Sequence, residues 1–572
     1  MKKIIKRLPK ATTAIAVLFL LVQTFSDLYL PTLTAQLINQ GVVPNDQTII
    51  WQKGFLMLGF AIISFGGALI NIYFAAKVSY GLGGELREAL FKKVTSFSQK
   101  EMDRFGSSSL ITRNTNDVTQ VQNLVEMGLK FLILAPLYLV GGIYFAYRLS
   151  PSLTMAFVSV TPIILIVCWL IFRYTNPLFD KMQRKIDQLN LIFKEGLTGI
   201  KVIHAFNKEQ EEYQRYQKEN ESYTKLAIRS NTAFSFLMPF ITLMMSLATI
   251  AITWLGAGLI DTGQMEIGTM MGVVSYAAQI LMGVAILTMV LSSIPRGQIS
   301  AKRINNVLET ENVIQDGSSD FAEHESKTNS LILDQVSFSY DGAEEDALER
   351  ISLSVRSGET LAIIGSTGSG KTTLVNLLDR LYDPRKGSIR FNEQEISQIS
   401  QSNWHEQVSL VPQVNQLFFG TIRENLLVGN QRATDDELWD ALALAQAVDF
   451  VQAQGGLDGA VEKNGGNFSG GQKQRLCLAR AFVKNAAIYL FDDSFSALDF
   501  KTDAMIQKKM KVHLNQAIKI IVAQRITTVK NAAKILVLNE GQMVGWGIHE
   551  ELAETNAVYQ EIILSQEDKE AA

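Results

Sequence analysis

The chain has 572 residues, 47% of them hydrophobic, a formal net charge of −3 and two cysteines. That length exceeds a single ordinary domain. The near-neutral balance gives no sign of nucleic-acid binding, and two distant cysteines, Cys168 and Cys477, exclude a disulfide framework.

Residues 1–10 are basic and amphipathic. They are either a short interfacial helix, with Ile4, Ile5 and Leu8 towards lipid and Lys2, Lys3, Lys6 and Arg7 towards headgroups, or a solvated basic tail. Five further apolar spans argue against a cleaved signal peptide.

Six apolar stretches, near 13–38, 52–76, 128–148, 152–173, 232–258 and 266–292, are long enough to cross the roughly 30 Å hydrocarbon core of a bilayer as helices. Pro31, Pro136, Pro162 and Pro239 do not veto this, because neighbouring helices satisfy the freed backbone groups. Connections 39–51, 149–151 and 259–265 are short and lack Lys and Arg. The second and fourth connections are long and basic, with Lys77, Arg87, Lys92, Lys93, Arg104, Arg113, Lys181, Arg184, Lys185 and Lys194. The positive-inside rule places these and the N-terminus in the cytoplasm. Both long connections also carry helical periodicity, so they are expected to extend the membrane helices. Asp27 lies within the first span and is costly there unless it faces a cavity or a partner, or lies hydrated near the outer interface. Phe234, Phe236, Met238, Phe240, Met244, Met245, Met270, Met271, Met282 and Met289 enrich the last two spans. Such side chains suit promiscuous apolar ligands, or else face lipid and pack helices.

A polar stretch opening at Gln315-Asp316-Gly317-Ser318-Ser319 marks a linker over 315–330, separating a membrane domain (1–314) from a soluble domain (331–572). In the latter, Leu361-Ala362-Ile363-Ile364 reads as a buried strand running into Gly365-Ser366-Thr367-Gly368-Ser369-Gly370-Lys371-Thr372, with Thr373 opening the following helix. This is a complete phosphate-binding loop. Its backbone N–H groups close round phosphates, Lys371 reaches the β and γ oxygens, and the Thr372 hydroxyl holds Mg²⁺. A second strand, Ile488-Tyr489-Leu490-Phe491, ends in Asp492, a second Mg²⁺ contact. Phe468-Ser469-Gly470-Gly471-Gln472, at the start of a basic helix, is a further anion site, superfluous unless it serves a different nucleotide.

With these motifs the chain resembles an ATP-binding cassette exporter half-transporter along essentially all of its length. The resemblance implies six transmembrane helices in the type IV exporter fold, followed by an α/β phosphate-loop ATPase domain. Two such chains would sandwich two ATP molecules, each between one subunit's phosphate loop and the other's signature Ser469-Gly470-Gly471-Gln472. It further implies that Tyr340 stacks on adenine, and that Gln413 touches Mg²⁺ and the attacking water. Ser496-Ala497-Leu498-Asp499 would cross to the partner's site. Segments 105–117 and 194–206 would carry the coupling helices.

Two positions depart from the family. Asp493 stands where it has a catalytic Glu, and Gln524 where it has a His on the γ-phosphate. Asp is shorter by one C–C bond, about 1.5 Å, and Gln cannot carry a proton's charge near neutral pH. Phe468 replaces the usual Leu, and Glu462-Lys463-Asn464-Gly465 the usual Gly-Glu-Arg-Gly. The pattern is similar to the degenerate-site half of bacterial heterodimeric multidrug exporters. It implies a homologous partner with intact Glu and His, bound ATP and Mg²⁺, and a multi-pass plasma-membrane protein whose nucleotide domain is cytoplasmic. The expected activity is ATP-driven efflux of amphipathic drugs or lipid-like compounds by alternating access. A lipid or lipopeptide flippase, or a nucleotide-gated regulatory subunit without net transport, are the other readings.

Overall fold

The computed structural model describes residues 1–317 and 328–571. The chain forms two compact units, Met1–Thr95 with Ser107–Thr310, and Ser96–Gly106 with Glu311–Ala572. Most of the expected linker, residues 318–327, lies outside the described residues.

The first unit contains six helical spans long and apolar enough to cross a membrane: α1 (Lys10–Val42), α2 (Gln47–Thr95), α3 (Ser107–Leu149), α4 (Pro162–Thr198), α5 (Glu209–Asp261) and α6 (Ile267–Leu308). They run well past the apolar stretches, as the helical periodicity of the long connections requires. Pro31 lies inside the first helix. The fourth stretch is interrupted, with one helix over Pro151–Val158 and the next beginning at Thr161, so that Pro162 falls in its first turn, where its missing N–H costs nothing. Close approach of helices rests on small residues. A Cβ on Gly283 of α6 would stand 3.1 Å from Ala135 O and 3.1 Å from Tyr138 Cβ of α3. Large apolar side chains such as Phe65 and Trp254 remain exposed, as on surfaces that meet lipid or a protein partner.

The basic N-terminus forms a one-turn helix, Lys2–Ile5. Ile4 does not face lipid as its spacing suggested; it is fully buried in the unit. Lys3 pairs with Glu309 at 2.8 Å and Arg7 with Glu85 at 3.1 Å. Elsewhere in this unit a short helix, Ile200–Ala205, lies within the second expected coupling segment. It buries none of its residues and leaves Ile200, Val202 and the following Phe206 exposed.

The second unit is built on a ten-stranded sheet. Its strands are β1 (Ser330–Phe338), β2 (Leu348–Arg356), β3 (Thr360–Gly365), β4 (Lys386–Phe391), β5 (Gln394–Glu395), β6 (Val408–Val411), β9 (Ile488–Asp492), β10 (Ile518–Val522), β11 (Lys534–Asn539) and β12 (Gln542–Gly547). β7 (Gly420–Thr421) and β8 (Ala460–Val461) form a separate antiparallel pair. The sheet order is β5-β4-β1-β2-β12-β11-β3-β10-β9-β6. β11, β3, β10, β9 and β6 are mutually parallel. β9 and β10 are buried at every position, which explains their mostly apolar sequences, broken by the buried Lys519 in β10 and ended by Asp492 in β9. The β1, β2, β4 and β5 edge is antiparallel.

The segment Ser96–Gly106, which the chain reaches directly from α2 and leaves directly into α3, belongs to this second unit. Its helix is Gln99–Phe105, which meets the expected coupling segment 105–117 only at Phe105. The arriving chain is fixed beside it. Val313 N donates to Glu101 Oε1 at 3.0 Å, Arg380 Nη2 to Gln315 O at 3.0 Å, and Gln401 N to Asp316 Oδ1 at 2.8 Å.

Candidate nucleotide site

In an open parallel sheet, ligands gather beyond the C-terminal strand ends, and here four adjacent strands deliver the site. β3 runs into the phosphate loop, β6 leads to Gln413, β9 ends in Asp492-Asp493, and β10 leads to Gln524. Register places Val522 beside both Ile363 and Asp492, and Val411 beside Phe491. A cavity of about 310 Å³ is lined by Tyr340, Thr367, Gly368, Gly370, Lys371, Thr372, Thr373, Gln413, Asp492, Asp493 and Gln524, together with Ala347 and Val522. Residues dispersed along the chain in the sequence reading therefore share one pocket, and Gly365, Ser366 and Ser369 form the adjoining part of the loop.

The loop's shape depends on its glycines. Gly370, at φ +99°, precedes helix α7 (Lys371–Leu378), and a Cβ there would lie 2.8 Å from Ala347 O. The Lys371 ammonium folds back on its own loop, donating to Gly365 O at 2.9 Å, Ser366 O at 2.6 Å and Ser369 Oγ at 3.4 Å. Burial lowers its pKa, opposed by Asp492 and Asp493. Conversely, burial raises the pKa of Asp492 against its hydrogen bond from Thr372, with Asp493 raising it further and Lys371 lowering it. Thr372 Oγ1 and Asp492 Oδ1 are 3.4 Å apart. With Gln413 on the same cavity they form an all-oxygen donor set of the kind Mg²⁺ takes beside phosphates.

The two deviant residues face each other. Gln524 Nε2 donates to Asp493 Oδ2 at 3.2 Å. Asp493 has a left-handed backbone, φ +50°, a region that Asp and Asn tolerate better than most residues. Burial raises its pKa, against Ser496, Lys371 and Arg525. Its carbonyl accepts from Ser496 Oγ at 3.0 Å and Gln474 Nε2 at 3.3 Å. Arg525 ties the next turn down through Leu498 O at 3.0 Å and Ser496 O at 2.9 Å. Gln566, in the last helix, bridges the loop after β10, donating to Gln524 O at 2.7 Å and accepting from Ile526 N at 2.9 Å.

Tyr340 is joined to more than the pocket. Its hydroxyl lies 3.1 Å from Thr373 Oγ1, and its ring meets Tyr382 edge-on at 5.6 Å. The Tyr382 hydroxyl donates to the carboxylate of Asp103, in helix Gln99–Phe105, and Lys100 pairs with Asp341 at 2.9 Å. Burial, then the Asp103 hydrogen bond and charge, hold the Tyr382 phenol well above its ordinary pKa. Neither Tyr382 nor Asp103 carries a local sequence signal for this role.

Ser469, Gly470, Gly471 and Gln472 do not line the cavity. Ser469 caps helix α8 (Gly470–Val483) in a reciprocal box, accepting from Gln472 N at 3.3 Å and donating its own N–H to Gln472 Oε1 at 2.9 Å. Ser469 and Gly470 are exposed, whereas Phe468 is buried against Phe450. A helix N-terminus presented to solvent is a ready anion site.

A phosphate-loop domain on a parallel sheet, in one chain with six membrane-crossing helices, defines an ATPase-coupled membrane transporter. Residues 13–284 match the ABC transporter transmembrane region and residues 348–496 the ABC transporter domain. An uncharacterized ABC transporter ATP-binding protein of Mycobacterium tuberculosis is 37% identical over 97% of this chain and 95% of its own. A multidrug resistance ABC transporter ATP-binding and permease protein of Lactococcus lactis is 30% identical over 86% and 84%. The fold superposes on a bacterial Atm1-family ABC exporter with ATP bound at a TM-score of 0.81 and 25% identity, over 97% and 98% of the two chains. The chain belongs to the ABC transporter family, is built as an exporter half, and is a bacterial membrane protein with an ATP-binding domain.

Proposed function

We propose that the chain works as one half of a heterodimeric exporter of amphipathic compounds, contributing a slow ATP site of its own and a signature surface to a fast one. The Asp493–Gln524 pair carries this reading. Asp493 stops about 1.5 Å short of where a Glu carboxylate would reach, and a misplacement of about 1 Å costs on the order of 10²-fold in rate. Gln524 can donate a hydrogen bond but carries no charge.

The rest of the cavity is equipped to bind. Tyr340 offers a ring to adenine, the loop N–H groups and Lys371 hold phosphates, and Thr372, Asp492 and Gln413 would hold Mg²⁺, which shields phosphate charge. The exposed Ser469–Gln472 helix start would close over the partner's nucleotide, and hydrolysis there would reset the cycle. The relative named for multidrug resistance supports amphipathic cargo, as do the exposed Met238, Met271, Met282 and Met289. The nucleotide domain would be cytoplasmic, as the basic connections indicate.

ATPase activity of the purified chain, alone and with a homologous half-transporter bearing Glu and His at the two positions, tests this. Activity that needs the partner and collapses when the partner's Glu becomes Gln is the expected result. Brisk turnover by the chain alone refutes it.

A further inference from the structure

Asp27 stands near the middle of α1, where four helices converge. Ser64 Oγ of α2 donates to its Oδ1 at 2.5 Å, Tyr138 of α3 to its Oδ2 at 2.8 Å, and Gln279 Nε2 of α6 to its backbone carbonyl at 2.9 Å. Asp27 takes part in none of the ion pairs among the described residues. The other amide atom, Gln279 Oε1, is buried with no hydrogen-bond partner. A buried unpaired acceptor on the side chain that bonds the Asp27 backbone, together with a carboxyl that has no cationic partner at membrane depth, is a costly arrangement. A purely structural staple would gain from a Lys or Arg, or from an apolar residue in place of the acid.

The neighbouring layer is aromatic. Tyr29, Phe60, Phe145 and Tyr276 come from the same four helices, each displaced from its polar partner towards the 43–46 end of the bundle. Tyr29 lies 5.0 Å from Phe60 and 6.5 Å from Phe145, and Phe145 stacks on Tyr276 at 6.2 Å. Phe25 continues the cluster, stacked on Tyr29 at 6.1 Å and exposed. Tyr138 and Phe145 pack against the buried cluster of Leu28, Ala146 and Tyr276, so the acid's hydroxyl partner and the rings share one packed core. A carboxylate beneath aromatic rings matches a cation carrying apolar groups, the charge attracted by the acid and by ring faces.

We propose that Asp27, with Gln279 and this aromatic layer, is a recognition site for lipophilic organic cations. It rests on the exporter reading and narrows its cargo. Both hydroxyl donors compete with such a cation for the carboxylate, so they tune the site as well as hold it.

The test is equilibrium binding of tetraphenylphosphonium to the full chain in lipid nanodiscs, with the isosteric anion tetraphenylborate as control and ATP-analogue binding at the phosphate loop as a folding check. Asp27→Asn should weaken tetraphenylphosphonium binding about tenfold or more and leave tetraphenylborate unchanged. Asp27→Glu should weaken it less. Tyr138→Phe should tighten it, by about threefold, because a competing donor is removed; a staple role predicts loss instead. Absence of saturable cation binding overturns the proposal, as does binding indifferent to Asp27→Asn, or a Tyr138→Phe chain that binds more weakly. ATP-driven efflux of tetraphenylphosphonium by the assembled exporter is scored separately. Its failure with cation binding intact sinks the exporter reading and not the site, and its success with cation binding indifferent to Asp27 sinks only the site.

Discussion

Restoring reach at Asp493 is the sharpest test of the asymmetric reading. Asp493→Glu with Gln524→His supplies the missing methylene and a side chain able to carry charge. If misplacement is what slows this site, the gain is on the order of 10²-fold, equivalent to about 2.7 kcal/mol of barrier. The gain has an opposing cost in stability. Asp493 sits at φ +50°, and a Glu there lacks the local hydrogen bonding that lets Asp occupy left-handed backbone, a penalty of about 1 kcal/mol. The variant should therefore hydrolyse faster while unfolding at slightly lower temperature. Single-turnover hydrolysis of radiolabelled ATP, with the proposed partner's own site disabled by Glu→Gln, isolates the effect. A change under about threefold, far short of the misplacement cost, would refute the claim that reach limits this site.

Tyr382→Phe removes one hydrogen bond to Asp103 and keeps the ring against Tyr340. ATP affinity should stay within about twofold, while stimulation of ATPase by transported compound falls several-fold, a coupling loss of about 1 kcal/mol; equal losses in both would show that Tyr382 acts on nucleotide binding alone. Burial raises the Asp379 pKa to about 6, with His405 and Lys484 opposing. Because the folded value lies above the unfolded one, the stability this residue lends is present below about pH 4 and is lost as pH rises through 6. Asp379→Asn should accordingly raise the melting temperature relative to the unsubstituted chain more at pH 7.5 than at pH 4.5, read by thermal unfolding at both. Cys477 is buried and its thiol pushed up by that burial, so maleimide should leave it unmodified at neutral pH until denaturant unfolds the domain; rapid native labelling would contradict the packing.

What could be read in the sequence was whatever is local in the chain. The phosphate loop is contiguous, its strand and helix flank it directly, and Lys371 donates to its own loop. Asp493 and Gln524 were visible as substitutions because their strands are recognisable apolar runs. Their mutual hydrogen bond was not, since it depends on β9 and β10 lying side by side. Ser96–Gly106 looked like part of a long membrane-helix extension because periodicity reports a helix but not what it packs on. Tyr382 and Asp103 are far apart in sequence, so nothing local could pair them. Ile4 was misplaced for a similar reason, as a one-turn amphipathic helix looks alike on a lipid surface and against protein.

Gln566 gives the end of the last helix a stake in the chemistry. By holding Gln524 O and Ile526 N together, it makes the position of a residue on the ATP cavity depend on a side chain in the last helix. Unwinding the helix around Gln566 would free the loop after β10 without touching any nucleotide-binding motif. The last helix then acts as a tensioner on the loop that carries Gln524.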